Sequence, residues 1–188
     1  DFLSIEEKKI SREFEKKGFL IRNIKDQNSL SKLKKIFIKL YIKNLKLKKR
    51  ASNNKDLFNF THKNVKPNNL NEFRLKIINE INKKKEVREL YYRISKPILD
   101  VILGNELSMQ MRVNLSIQLP QDKSSLLPVH SDVWSGDSPF ETVVWLPLVD
   151  CFKTKSMFIL PPTKYDKIKK IFQEKKYNSS DKIYEKIK

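Results

Sequence analysis

Cysteine is all but missing from this chain of 188 residues: Cys151 is the only one, which excludes an internal disulfide and any cysteine-rich zinc site and suits a reducing compartment. Long apolar runs are missing too. No stretch approaches the ~18 residues that a membrane span needs, and the N-terminal DFLSIEEKK lacks the basic-then-apolar order of a signal peptide. A cytoplasmic location with no membrane span is therefore expected, and Asp1 in place of a start methionine points to a trimmed, longer product. Fixed-period repeats and low-complexity tracts are also lacking. What is present is globular in character, with 39% hydrophobic and 33% charged residues. The length corresponds to one domain or little more, able to bury ~70% of its unfolded surface.

Arginine is sparse for so basic a protein. Lys and Arg total 40 against 22 acidic residues, a formal charge of +18, yet only seven of the 40 are arginine. Residues 104–162 hold Arg112, Lys123, Lys153 and Lys155 against Glu106, Asp122, Asp132, Asp137, Glu141 and Asp150, so all the excess lies outside this block. There it is lysine mixed with Asn and Ile, as in KNLKLKK and NEINKKKE. Bidentate readout of phosphate or guanine favours Arg, so the excess reads as a solvated face rather than a nucleic-acid site.

Helical spacing dominates the first hundred residues. FEKKGFLIRNIKD, Phe14 to Asp26, reads as a helix end closed by Gly18 and a short strand over Phe19 to Ile24. Leu30, Leu33, Phe37, Leu40, Tyr41 and Leu45 recur at three- and four-residue steps, the apolar face of a helix. Ser52 to Pro67 is a polar loop that carries His62. A second helix is expected from Asn69, capped with Glu72, and shows Leu70, Phe73, Ile77 and Ile81 on one side. A third starts at Glu86 with Val87, Leu90, Tyr91 and Ile94, kinks at Pro97 and stops at Gly104.

At Ser108 the period changes from helical to two. Met109, Met111, Val113, Leu115, Ile117 and Leu119 alternate without a miss with Ser108, Gln110, Arg112, Asn114, Ser116 and Gln118, the pattern of a strand with one apolar face. LLPVHSDV, ETVVWLPLV and SMFILP read as three further strands separated by turn-rich segments, and Pro162 to Lys175 as a helix. Closely spaced strands of this kind predict an antiparallel sandwich or barrel behind a helical layer, an α+β fold.

One of only two histidines stands in His130-Ser131-Asp132. Residues i and i+2 of a strand point to one side, so an imidazole nitrogen and a carboxylate oxygen would be aimed at one point, two ligands of a two-His-one-carboxylate iron site. An HxD triplet alone also fits a surface turn with a hydrogen-bonded histidine.

The longer stretch LPVHSDVWSGDSPFETVVWLPLVDCFKTKSMFILPPTKY resembles the Fe(II)- and 2-oxoglutarate-dependent oxygenases of the phytanoyl-CoA dioxygenase type. It looks nearest to a branch found in bacterial surface-carbohydrate clusters and streptomycin-type operons. The resemblance is specific over residues 108–165 and loose before them. It implies a double-stranded β-helix, or jelly roll, with residues 1–107 as its helical layer and 108–188 as its first part, all in a single domain. It implies Fe(II) and 2-oxoglutarate as cofactors, His130 and Asp132 as iron ligands, and Trp145 beside the cosubstrate. Gln118 is placed near the same cosubstrate by its face on the strand, Arg112 and Asn114 in the substrate pocket if the polar face points inward, and Trp134 at the entrance.

The match departs from the family in what it lacks. No His and no Arg follow Asp132, so the distal iron ligand and the arginine that would clamp 2-oxoglutarate are absent, and the usual Pro-Gly-Ser-His is Pro-Pro-Thr-Lys. The expectation is a fragment that holds iron weakly through two ligands. Its activity would be C–H oxidation of a carbohydrate, sugar nucleotide or glycan precursor using O2. The alternatives are a catalytically inactive sugar-binding or isomerase-like jelly roll and, from another class, a basic nucleic-acid-binding adaptor.

Overall fold

The computed structural model describes residues 2–47, 57–122 and 130–166 together with Lys169 and Lys182. Among them it is all-α: α1 (Ile5–Lys17), α2 (Gln27–Asn44), α3 (Thr61–Asn64), α4 (Pro67–Asn82) and α5 (Lys85–Ile102), followed by three short 3₁₀ turns. This overturns the expected α+β jelly roll. The segments 106–119, 141–147 and 157–160 carry no strand, because among the described residues no two extended segments are joined in a backbone ladder. The expected strand at Phe19 to Ile24 is likewise absent, and of LLPVHSDV the first four residues lie outside the described residues while His130 to Val133 carry no strand. The chain divides into two compact units, one of residues 1–20, 126–146 and 151–188, the other of residues 21–125 and 147–150.

In the second unit α2 packs on α4 and α5, and α4 on α5. The spacing read from the sequence is the cause: Leu33, Phe37, Leu40 and Tyr41 of α2 are buried, as are Leu70, Phe73, Ile77, Ile78 and Ile81 of α4 and Val87, Leu90 and Leu99 of α5. Ile77 and Ile81, one turn apart, are fully shielded at 0% exposure. Tyr41 meets the rings of Phe58 and Phe73 edge-on at 4.9 and 5.1 Å, a favoured arrangement of ring quadrupoles. Its burial pushes the phenol up to about 12, against a hydrogen bond with Thr61 that acts in the other direction.

Helix ends show where local chemistry was readable. Asp26 caps α2 by accepting from the Ser29 backbone N–H at 2.9 Å, which with the Ser29 side chain lowers the Asp26 carboxyl below the usual carboxylate range. α4 begins at Pro67, two residues before the expected Asn69. The cause is Pro67 itself, whose missing N–H is harmless at the first helical position, and no side chain caps this end. The segment read as a loop from Ser52 to Pro67 contains α3, so His62 is helical. α5 runs through Pro97 to Ile102, with Gly104 following at φ 83.

The extended segment after α5 is held by side chains rather than by a neighbouring strand. At the end of α4 the Asn82 amide donates to the Val113 carbonyl at 2.9 Å and accepts from the Val113 N–H at 2.7 Å. Arg88 of α5 donates to the Met109 carbonyl at 3.2 Å, and Arg112 reaches back to Asn79 at 2.8 Å. The alternation persists in the burial, with Val113, Ile117 and Leu119 inside and Gln110, Arg112, Asn114, Ser116 and Gln118 exposed. A turn ends the segment, the Asp122 N–H donating to the Leu119 carbonyl with Pro120 and Gln121 (φ 61) at its centre, the pattern of a type II turn.

In the first unit α1 carries a full capping box, Ser4 and Glu7 each bonding the other's backbone N–H. Gly18 closes the helix at φ 73, as its position in FEKKG predicts, and the Pro162 ring of the 3₁₀ turn Pro162–Lys164 lies beside it. A Cβ at residue 18 would stand 3.1 Å from Pro162 Cγ. Gly18→Ala is therefore expected to cost about 1–2 kcal/mol from the left-handed backbone alone. Denaturant titration measures it, and an unchanged midpoint would show that α1 can end elsewhere. The helix expected from Pro162 to Lys175 lies largely outside the described residues beyond this turn.

Candidate functional site

His130 and Asp132 do not share a strand. Ser131 between them is extended (φ −128, ψ 136), and Asp132 opens the 3₁₀ turn Asp132–Ser135, which Gly136 ends in the left-handed region at φ 98. The extended backbone of Ser131 sets its two neighbours to one side, the turn beginning only at Asp132: His130 Nε2 lies 3.6 Å from Asp132 Oδ1, an ion pair only when the imidazole is protonated. Both side chains are between two-fifths and one-half exposed.

Two atoms each roughly 2.1 Å from one ion are ~3.0 Å apart when they meet it at a right angle and ~4.2 Å apart when opposite. The observed separation falls between these limits, so one ion could take both ligands with little movement. A third is not at hand: among the described residues no three His, Cys, Asp or Glu side chains are grouped to hold a metal. The pair is thus wider by some tenths of an ångström than neighbouring positions of a facial iron site require, and it would have to close slightly to hold two of them.

The other candidates separate. Trp145 belongs to the same unit as the pair and lies on the outward row of 141–147, 47% exposed, so it is no core aromatic. The backbone of Trp134 forms part of the 3₁₀ turn after Asp132. Gln118, Arg112 and Asn114 belong to the other unit, exposed together on the polar row of the extended segment. Their row faces outward rather than into a cavity, the opposite of the condition under which Arg112 and Asn114 would line a pocket. His62 also sits in that unit, on α3.

A cleft of about 250 Å³ in the helical unit is lined by Asn44, Lys46, Asn64, Asn69, Glu72 and Lys76 among others. None of the sequence candidates lines it. The residue that sequence reading missed is Asn82, and its signal was slight: a polar residue closing the apolar row Leu70, Phe73, Ile77, Ile81, where a helix packed to its end would carry another aliphatic.

No family model matches the chain, and neither a curated protein nor a solved structure is significantly similar to it. No helix among the described residues is long and apolar enough to cross a membrane.

Proposed function

We propose that the protein is a metal-dependent oxygenase of the Fe(II)/2-oxoglutarate type, acting on a carbohydrate, sugar nucleotide or glycan precursor, with His130 and Asp132 as two iron ligands. The observation that supports it is the 3.6 Å approach of His130 Nε2 to Asp132 Oδ1 in the stretch that carries the family resemblance. Trp145, from the same unit, is the side chain assigned to the cosubstrate. These residues supply two of the three ligands of a facial triad, and no step of an oxidation is assigned to them.

Titration with Fe(II) under anaerobic conditions, or with Mn(II) followed by its paramagnetism, tests the pair. Weak one-to-one binding is expected, reduced more than ~10-fold by either His130→Ala or Asp132→Ala, at least the loss that removal of a supporting residue causes. Succinate release from 2-oxoglutarate should be slight. Binding that ignores both substitutions would remove the proposal.

A further inference from the structure

Beyond a bend at Met111, the segment from Arg112 to Gln118 has two lateral edges, because the backbone N–H and C=O of successive residues in an extended chain point to opposite sides. The odd-numbered edge is held at two points: Asn82 takes both groups of Val113, and Arg88 takes the Met109 carbonyl. The even-numbered edge is not. Gln110, Arg112, Asn114, Ser116 and Gln118 are exposed, and among the described residues their backbone groups bond to nothing.

Natural proteins protect such an edge with lysine, proline, a bulge or a covering element. In a chain one-third charged, residues 108–118 contain no lysine, no proline and one charge, Arg112. We infer that this edge pairs with the same edge of a second copy, forming an antiparallel two-stranded ribbon across a two-fold axis.

The chemistry favours a second copy over another occupant. The exposed row is Ser, Gln, Asn, Ser and Gln around one Arg, and amide and hydroxyl groups donate and accept alike, so the row is complementary to itself. Only the register that sets Arg112 against Arg112 is penalised, since every other opposes it to a hydroxyl or an amide. Met111, on the apolar row yet 76% exposed, gains an apolar neighbour from the partner strand. Because Asn82 of α4 holds the other side at Val113, and Val113 and Ile117 are buried, pairing closes at two copies and does not propagate into a filament.

The rest of each chain opposes association, since each copy carries +18. Dimerisation should therefore strengthen as salt screens that repulsion, opposite to the salt response of a nucleic-acid complex. Sedimentation velocity of the full chain from low to high micromolar concentration reads this directly. The expected result is a species of twice the 22.4 kDa monomer mass, more populated at higher salt. Asn114→Pro removes an edge N–H that no described group accepts, and should weaken the dimer at least ~10-fold with the monomer's helical circular dichroism unchanged. Asn114→Lys, which leaves the backbone intact and places a charge on the edge, should do the same. A monomer at every concentration and salt, or a dimer indifferent to both substitutions, would overturn the inference.

Discussion

Ile77→Ala is expected to destabilise the helical unit by about 2–5 kcal/mol, the range for removing a large aliphatic side chain from a closed core. Ile77 has no exposed surface, lies one turn from the equally shielded Ile81, and sits on the helix that packs against both α2 and α5. Helices on two sides limit how far the site can collapse, so part of the cost is a residual cavity. Chemical denaturation followed by circular dichroism measures the loss. Leu75 is the internal control: it is on the same helix but 46% exposed, and Leu75→Ala should move the midpoint little. Equal effects at 75 and 77 would mean that α4 presents a different face to its neighbours.

Asn82→Ala should cost about 2–3 kcal/mol, more than a surface amide ever does. One side chain here completes two hydrogen bonds to Val113 and donates to the Ile78 carbonyl at 2.7 Å. Truncation orphans the N–H and C=O of a residue that is only 8% exposed, and unsatisfied buried groups carry the full desolvation penalty. Asn82→Asp separates the parts, because a carboxylate still accepts from the Val113 N–H but faces its carbonyl with no donor. It should be destabilising as well, and more so above the carboxyl's titration range than below it, where the protonated acid can donate. If both variants matched the wild type, water would be shown to replace the amide at no cost.

The helical half of the fold was legible because its apolar residues repeat at helical spacing over long runs, and most of what the pattern selected is buried, with Leu30, Leu45, Tyr91 and Ile94 half-buried and Ile78 and Leu99 buried beyond it. The strands were misread for a physical reason. Perfect alternation from Ser108 to Leu119 reports which row faces a core and is silent on whether a strand or a helix supplies that core. The inward row was therefore predicted correctly at Val113, Ile117 and Leu119 but not at Met111, which is 76% exposed, while its backbone partners are the Asn82 amide of α4 and the Arg88 guanidinium of α5. His130 and Asp132 were legible as a pair from their spacing. The way they meet was not, because the pattern did not show that the extended stretch ends at Ser131 and that a 3₁₀ turn begins at Asp132. Capping signals were uneven: Gly18 marked its helix end, whereas Pro67 outweighed the Asn69/Glu72 pair that looked like a box.

The amide clamp of Asn82 has a consequence for alignment. It reads main-chain atoms that every peptide offers, so a slide of the extended segment by two residues would present Met111 or Leu115 to the same amide with the apolar row still inward. A slide by one would turn the whole apolar row to water. What forbids the two-residue slip is the span at either end, the short tether from Ile102 through Gly104 and the turn at Pro120-Gln121. A deletion in that tether is therefore read by parity, since loss of two residues can be taken up as a shift of frame and loss of one cannot without turning the apolar row outward, whereas an insertion can loop out and leave the frame as it is.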